Sequence, residues 1–440
     1  MILEVQKSAL SGTVSIPASK SHTIRAVAIA SLADGASRIR CPLISSDTLS
    51  AVACWQALGA SIDTSNENEW LVSGTAGRIL NEYCKIDVGN SGTTLRLAMG
   101  SASLASENAS IFMTGDDQIQ ARPVGALLQS LKDLGAGGTC LNHNDCAPLL
   151  IHGKLKGGRT SIACFTSQFL SSLLLACPLA ENSSEIEVTV LNEPDYVQMT
   201  LDWLNRQHIR YENDSFRHFL IPGGQQYRPF DLPIPADFSS AAFFLCAAAV
   251  VGPEITLTGL DFADSQPDKA MVQYLKEMGA KVDFLPQGLR IAKAPLKGID
   301  IDMNRTPDAL PAMAVAAAFA QGGTTRLLNV PQARKKETDR IACMAAELKK
   351  LGADVEELSD GLLIRGGKTL RPADLNGHAD HRIVMALSVA GMALNGKTTI
   401  DTAEAMNVTF PTFPLLMESL GGKLKMINRK SKRSVGDRPF

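Results

Sequence analysis

"KLGADVE", residues 350–356, is one of five near-copies of a single phrase in this chain. The others are ALGASID at 57–63, DLGAGGT at 133–139, EMGAKVD at 277–283 and SLGGKLK at 419–425. Each follows an amphipathic stretch with helical spacing and precedes an alternating, strand-like one. The glycine falls where a helix end needs the left-handed conformation, which a residue without a Cβ enters freely. Gly59, Gly135, Gly279, Gly352 and Gly421 are separated by 76, 144, 73 and 69 residues. The long gap is two periods, so a sixth copy is expected near residue 207. There LDWLNRQHIRYE (201–212) has the same helix-then-strand shape without the glycine.

Six units of about 73 residues fill a 440-residue chain. A repeat this long, holding both strands and helices, argues against a solenoid. Three units per half predict two similar α/β domains. The Pro- and Gly-rich stretch GGQQYRPFDLPIPADFSS (223–240) marks the boundary, and a ligand cleft is expected between the halves.

Composition narrows the function. Apolar residues make up 45%, charged residues 20%, and the net charge is −2, which excludes a broad basic face for nucleic acid or membrane. Aromatics at 5% give little base-stacking surface. Nine cysteines form no CxxC pair, and the odd number suits a reducing compartment. CLNHNDC (140–146) lacks the spacing and fourth ligand of a zinc site and reads as a polar hairpin loop. The start MILEVQKSAL has no signal character, and apolar runs such as RIVMALSVAGMAL (382–394) are too short to span a bilayer. A cytoplasmic location is expected. The basic end, KMINRKSKRSVGDRPF (425–440), reads as mostly disordered.

The residues that carry chemistry sit at predicted helix starts. IPASKSHTIRA (16–26) places Lys20, Ser21 and Arg25 there. GNSGTTLR (89–96) puts Asn90 and Gly92 before a helix carrying Arg96, where backbone N–H groups can meet an anion. Arg122 precedes Pro123, and Thr166, Ser167 and Gln168 open an apolar helix with three neutral polar side chains. KKETDR (335–340) clusters Lys336, Glu337 and Arg340; ADHR (379–382) adds Asp380, His381 and Arg382; Asp308 precedes another helix. Cations at the positive end of a helix are unfavourable unless an anion answers them. Many Lys and Arg with two or three acids and one His describe a polyanion cleft equipped for proton transfer.

Taken in order, SKSHTIR, GNSGTTLR, RP, SQFL, KETDR and DHR resemble the 5-enolpyruvylshikimate-3-phosphate synthase family of enolpyruvyl transferases, to about residue 425. The resemblance implies two domains, each of three βαβαββ units about a pseudo-threefold axis, an inside-out α/β barrel with the active site in the interdomain cleft. The N-terminal strand then belongs to the C-terminal half: one domain is 1–18 plus 236–440, the other 19–235. The implied reaction moves the enolpyruvyl group of phosphoenolpyruvate to the 5-hydroxyl of shikimate 3-phosphate and releases phosphate, in chorismate and aromatic amino acid biosynthesis. It needs no metal or organic cofactor, and a monomer with no nucleic-acid partner is expected.

By motif, the resemblance assigns Lys20, Ser21, Arg25, Thr166, Ser167, Gln168, Asp308, Gln332 and Lys336 to shikimate 3-phosphate. It assigns Lys20, Asn90, Gly92, Arg122, Gln168, Arg340 and Arg382 to phosphoenolpyruvate. Asp308 resembles the base that takes the 5-hydroxyl proton. Glu337 resembles the donor to C3, supported by Lys20, Lys336 and His381. Three places depart from the family around the acceptor: Thr166 for a Ser, Gln332 for an Asn, and Asn192 in LNEPDY where a Ser is usual. Val408 stands where the family often has a Lys before TFP. Two alternatives stay open: the same transfer to another hydroxyl acceptor, and a non-catalytic anion-binding protein on this scaffold.

Overall fold

The computed structural model describes residues 1–428; of the basic end 425–440, read above as mostly disordered, residues 425–427 complete the strand Lys423–Ile427, and residues 429–440 lie outside the described residues. The repeat is built as one unit six times. Residues 83–153 show it plainly: strand Tyr83–Asp87, a buried helix Gly92–Ala102, strand Ser110–Thr114, an outer helix Gly125–Asp133, and the hairpin Ala136–Cys140 with Leu149–Gly153. CLNHNDC is the loop of that hairpin. Six four-stranded sheets occur among the described residues, and each combines one parallel pairing with two antiparallel ones. In four of the sheets the parallel pair flanks the buried helix, as a strand–helix–strand crossover requires; in the other two the parallel partners are exchanged between the halves.

The glycines do what their position demands. Gly59, Gly135, Gly279, Gly352 and Gly421 have φ of +116, +102, +111, +93 and +97°. In the sixth unit the outer helix Pro194–Arg206 ends on Gln207, and His208 takes the left-handed turn at φ +56°. The copy without a glycine keeps the conformation and forces it on a histidine.

Each unit contributes one helix buried all round: α1 Lys20–Leu32, α2 Gly92–Ala102, α3 Ser167–Ala176, α4 Phe238–Val250, α5 Leu310–Ala318 and α6 His381–Ala393. Their Ala-, Leu- and Val-rich sequences lack a polar face because neighbours cover every side. The outer helices are one-sided. The helices α1 to α3 belong to one apolar core drawn from residues 24–234; α4 to α6 belong to a second, drawn from 3–16 and 236–424.

The chain passes between the cores twice, side by side. Asp237 donates its N–H to Pro17 O at 2.9 Å and Ser19 to Pro235 O at 2.8 Å. Strand Ile2–Gln6 lies between Lys397–Ile400 and Lys423–Ile427. Leu10–Ser15 runs parallel to Pro253–Thr258, and in exchange Asp231–Pro233 runs parallel to Ala36–Arg40 in the other half. Each half thus completes its sheets with strands from across the crossing.

Candidate active site

All six buried helices aim their N-termini at one cavity of about 660 Å³ between the two cores. The two halves cap those helices differently. Ser19, Ser91 and Thr166 cap α1, α2 and α3 with neutral hydroxyls. Asp237 and Asp380 cap α4 and α6 with carboxylates, and Asp308 lies in the single turn Pro307–Ala309 that leads into α5. The first half caps its three positive helix ends with neutral groups, with the Glu193 carboxylate also meeting the start of α3, and the second offers three acids that can hold cations in place.

The cations on the second half are pinned accordingly. Arg340 reaches Asp308 Oδ1 at 2.8 Å, Asp380 Oδ2 at 2.8 Å, and Glu337. Arg382 lies 3.3 Å from Asp308 Oδ2 and donates to the Asp308 carbonyl at 3.1 Å. Lys336 Nζ is 3.7 Å from Asp308 Oδ1. Burial opposes the charge on Asp308, but Arg382, Lys336 and Arg340 outweigh it and hold the carboxyl well below the usual carboxylate range. Burial likewise opposes ionisation of Glu337, and the charges of Arg340, Arg122 and Lys20 override it, so Glu337 is also held well below its ordinary value. His381 goes the other way: burial pushes it well below the ordinary imidazole value, and it is neutral. Its Nε2 is buried without a hydrogen-bond partner in the cavity wall.

On the first half, Lys20 pairs with Asp47 Oδ2 at 3.0 Å. Arg25 is buried and locked by Thr200 Oγ1 at 2.9 Å and the carbonyls of Ser21 and Tyr196 at 3.0 and 3.1 Å. Burial lowers it to about 10, still charged at neutral pH. Gln168 accepts from Arg96 Nη1 at 2.7 Å and donates to Thr93 Oγ1 at 3.0 Å. Arg122 Nη1 is 3.7 Å from Glu337 Oε1 across the cleft. A Cβ on Gly92 would stand 2.9 Å from Arg96 Nη1 and 3.0 Å from Arg122 Nη1, so any other residue there would make the two guanidiniums shift from the start of α2.

The cavity wall therefore gathers Lys20, Ser21, Arg25, Gly92, Arg122, Thr166, Ser167, Gln168, Asp308, Gln332, Lys336, Glu337, Arg340, His381 and Arg382. Asn90 is not in that wall; its amide serves Asp116 and Gln118 at 2.7 and 2.6 Å. Val408 is also outside it, half-buried at the end of the turn Ala403–Val408. Its neighbour Asn407 accepts from Ser46, next to Asp47.

Sequence reasoning missed four participants. Arg96 was seen only as part of a helix. Asp47 sits in SSDTLS, which reads simply as a helix start. Tyr196 approaches Asp268 and Asp308 at 3.3 and 3.5 Å; burial and the Asp308 charge raise Asp268 to about 6. Glu193, beside the Asn192 singled out above, turns into the cavity and touches Thr166, Ser167 and Lys336.

Positive helix ends, pinned cations and buried carboxylates converging on one interdomain cleft fit a transferase acting on polyanionic substrates. Comparison with known proteins makes this specific. The family model of EPSP synthase (3-phosphoshikimate 1-carboxyvinyltransferase) matches residues 5–417, and the chain belongs to that family. A 3-phosphoshikimate 1-carboxyvinyltransferase of Ruminiclostridium cellulolyticum is 50% identical over 427 residues, covering 97% of this chain and 100% of the relative. Its counterpart in Acetivibrio thermocellus is 51% identical over 424 residues, covering 96% and 99%. The solved EPSP synthase of Acinetobacter baumannii superposes with a TM-score of 0.80 at 27% identity, covering 96% of this chain and 99% of that one. The two-domain fold expected from the repeat is the fold of these structures, and the chain is an enzyme of the shikimate pathway. No helix among the described residues is long and apolar enough to cross a membrane.

Proposed function

We propose that this chain transfers the enolpyruvyl group of phosphoenolpyruvate to the 5-hydroxyl of shikimate 3-phosphate through the groups gathered in the interdomain cavity. The observation that carries the reading is the convergence of six helix N-termini, with Asp308 and Glu337 held among Arg122, Lys336, Arg340 and Arg382, on a single cavity. Two anionic substrates need such a cage, and the reaction needs one group to accept a proton and one to give it.

Asp308 is ionised and takes the 5-hydroxyl proton as that oxygen attacks C2 of phosphoenolpyruvate. Glu337 gives a proton to C3. The resulting tetrahedral intermediate collapses: Glu337 takes a proton back from C3, the C2–C3 double bond re-forms, and the C2–O bond to phosphate breaks to release phosphate. Glu337 is a carboxylate while Arg340 and Arg122 attend it, so it must take up a proton before it can give one. The carboxylate and phosphate of phosphoenolpyruvate supply the reason: by drawing Arg122 and Arg340 to themselves they raise Glu337. Neutral His381 has a free Nε2 for the substrate. Lys20 lies on both ligands, and Ser21, Arg25, Gln168 and Gln332 line the acceptor's place. Asn90 acts indirectly, by fixing Gln118, which accepts from Arg122 at 3.4 Å.

The domain division is 1–18 plus 236–440 and 19–235, supported by the two cores and the paired crossings. We place the enzyme in the cytoplasm as a monomer without nucleic-acid partners. Phosphate release from phosphoenolpyruvate is the test: it is expected only when shikimate 3-phosphate is added. Absence of release with both phosphoenolpyruvate and shikimate 3-phosphate present would reject that acceptor.

A further inference from the structure

We propose that Glu193 sets the charge selectivity of the acceptor subsite: its carboxylate occupies the donors that would otherwise hold the acceptor's phosphate. The inference rests on the proposed assignment of Thr166, Ser167 and Lys336 to shikimate 3-phosphate and takes them as the clamp for its phosphate. Glu193 accepts from Ser167 Oγ at 2.8 Å, from the Ser167 N–H at 3.3 Å and from Thr166 Oγ1 at 3.4 Å, and it pairs with Lys336 Nζ across the cleft. It is 1% exposed. These are the donors at the start of α3, which carries the positive end of the helix dipole.

The placement is enforced, not casual. Glu193 has φ +59° and ψ +49°, a left-handed conformation unusual for a residue with a long side chain. Pro194 follows it as the first residue of the outer helix, and Asn304 Oδ1 accepts its N–H at 3.4 Å. The backbone is thus fixed, and the side chain is what can move. One ammonium, two hydroxyls and one N–H cannot serve a carboxylate and a phosphate together, and two anions at this separation repel. A phosphate entering the clamp must displace Glu193 into the cavity. An acceptor that lacks a phosphate meets no such opposition. Glu193 therefore weakens phosphorylated acceptors selectively, while phosphoenolpyruvate, bound on the side of Gly92 and Arg122, is unaffected.

Calorimetric binding of shikimate 3-phosphate, inorganic phosphate and unphosphorylated shikimate tests this on the wild-type chain and on Glu193→Gln. The glutamine oxygen can still accept from Thr166 and Ser167, its NH2 cannot accept from Lys336, and the charge is removed. Glu193→Asn, whose side chain tolerates the left-handed backbone, serves as a second neutral variant should the first fold poorly. Both are expected to bind shikimate 3-phosphate and inorganic phosphate at least about tenfold more tightly, the size of one charge-assisted contact. Affinity for shikimate and the KM for phosphoenolpyruvate should not change. Equal or weaker phosphate binding in the folded variants overturns the proposal. So does an equal gain for shikimate. The acceptor assignment fails separately, by absence of phosphate release in the wild-type chain, because the inorganic phosphate comparison needs no turnover.

Discussion

Asp308 receives Arg340, Arg382 and Lys336 within 4 Å, and this concentration of charge decides what it can do. Its proton affinity as a resting carboxylate is low, so in the role proposed for it Asp308 becomes an effective base only as an incoming ligand shares its cations. Asp308→Asn should therefore lower kcat by about 10²–10⁴-fold while shikimate 3-phosphate still binds, which steady-state kinetics and calorimetry separate. Near wild-type turnover in the folded variant would remove Asp308 from the role. His381 gives a pH prediction of definite sign. Its folded value lies below the ordinary 6.5, so the unfolded chain binds the extra proton and stability falls as pH drops below about 6.5. Asp308 and Glu337 are depressed instead, and their contribution, present above the ordinary carboxylate values, is lost only under more acid conditions. Between pH 7.5 and pH 5 the His381 effect stands apart from theirs. Thermal melting of His381→Asn should consequently drop less over this window than that of the wild type; equal drops would mean that His381 keeps its charge. Most of these groups were legible in the sequence because Lys, Arg and His beside helix starts are conspicuous against the dipole. Glu193 was not. In LNEPDY it reads as an ordinary loop acid before a helical Pro194, and only tertiary contacts to Ser167 and Lys336 turn it inward.

At the scale of elements, the repeat was readable because each outer helix ends the same way. A left-handed residue closes it, and glycine is the residue that does so without strain. The missing glycine near residue 207 did not mean a missing unit: His208 occupies the position at φ +56°. The sequence could not show that substitution, since helix-to-strand packing imposes the conformation regardless of side chain. His208 is exposed, so little packing is lost by truncating it. His208→Gly should then stabilise the chain by roughly 0.5–1 kcal/mol, the left-handed penalty less the added flexibility of glycine in the unfolded chain. Urea unfolding measures it, and a loss of stability would mean that the imidazole makes a contribution of its own. The caps carry a second lesson at this scale. Hydroxyl caps on α1 to α3 and acids at the starts of α4 to α6 divide the cage into a donor half and a cation-holding half. Individual helix-start motifs reveal the residues but not this division, because it emerges only when the two halves face each other.

The whole molecule is two cores joined by two adjacent crossings and by contacts across the cleft. Arg305 clasps Asp195 with bonds of 2.8 and 2.6 Å, Asn304 meets Asn192 at 3.1 Å, and Lys336 meets Glu193. These contacts lie on the side of the cavity proposed for the acceptor, where Ser21, Arg25 and Thr166 come from one half and Asp308, Gln332 and Lys336 from the other. A ligand seated there touches both cores, so its binding energy couples their unfolding. At a concentration 100 times its dissociation constant, such a ligand stabilises the folded state by about 2.7 kcal/mol. Scanning calorimetry with shikimate 3-phosphate should accordingly move the melting of both halves upward together and narrow any separation between them. Arg305→Ala, which removes a cross-cleft clasp without touching the cavity wall, should widen that separation in the unliganded chain. The ligand should close it again, because the coupling then runs through the cage itself. If only one half responded to the ligand, the acceptor would be held by that half alone, and the division of labour between hydroxyl-capped and acid-capped helices would not extend to acceptor binding.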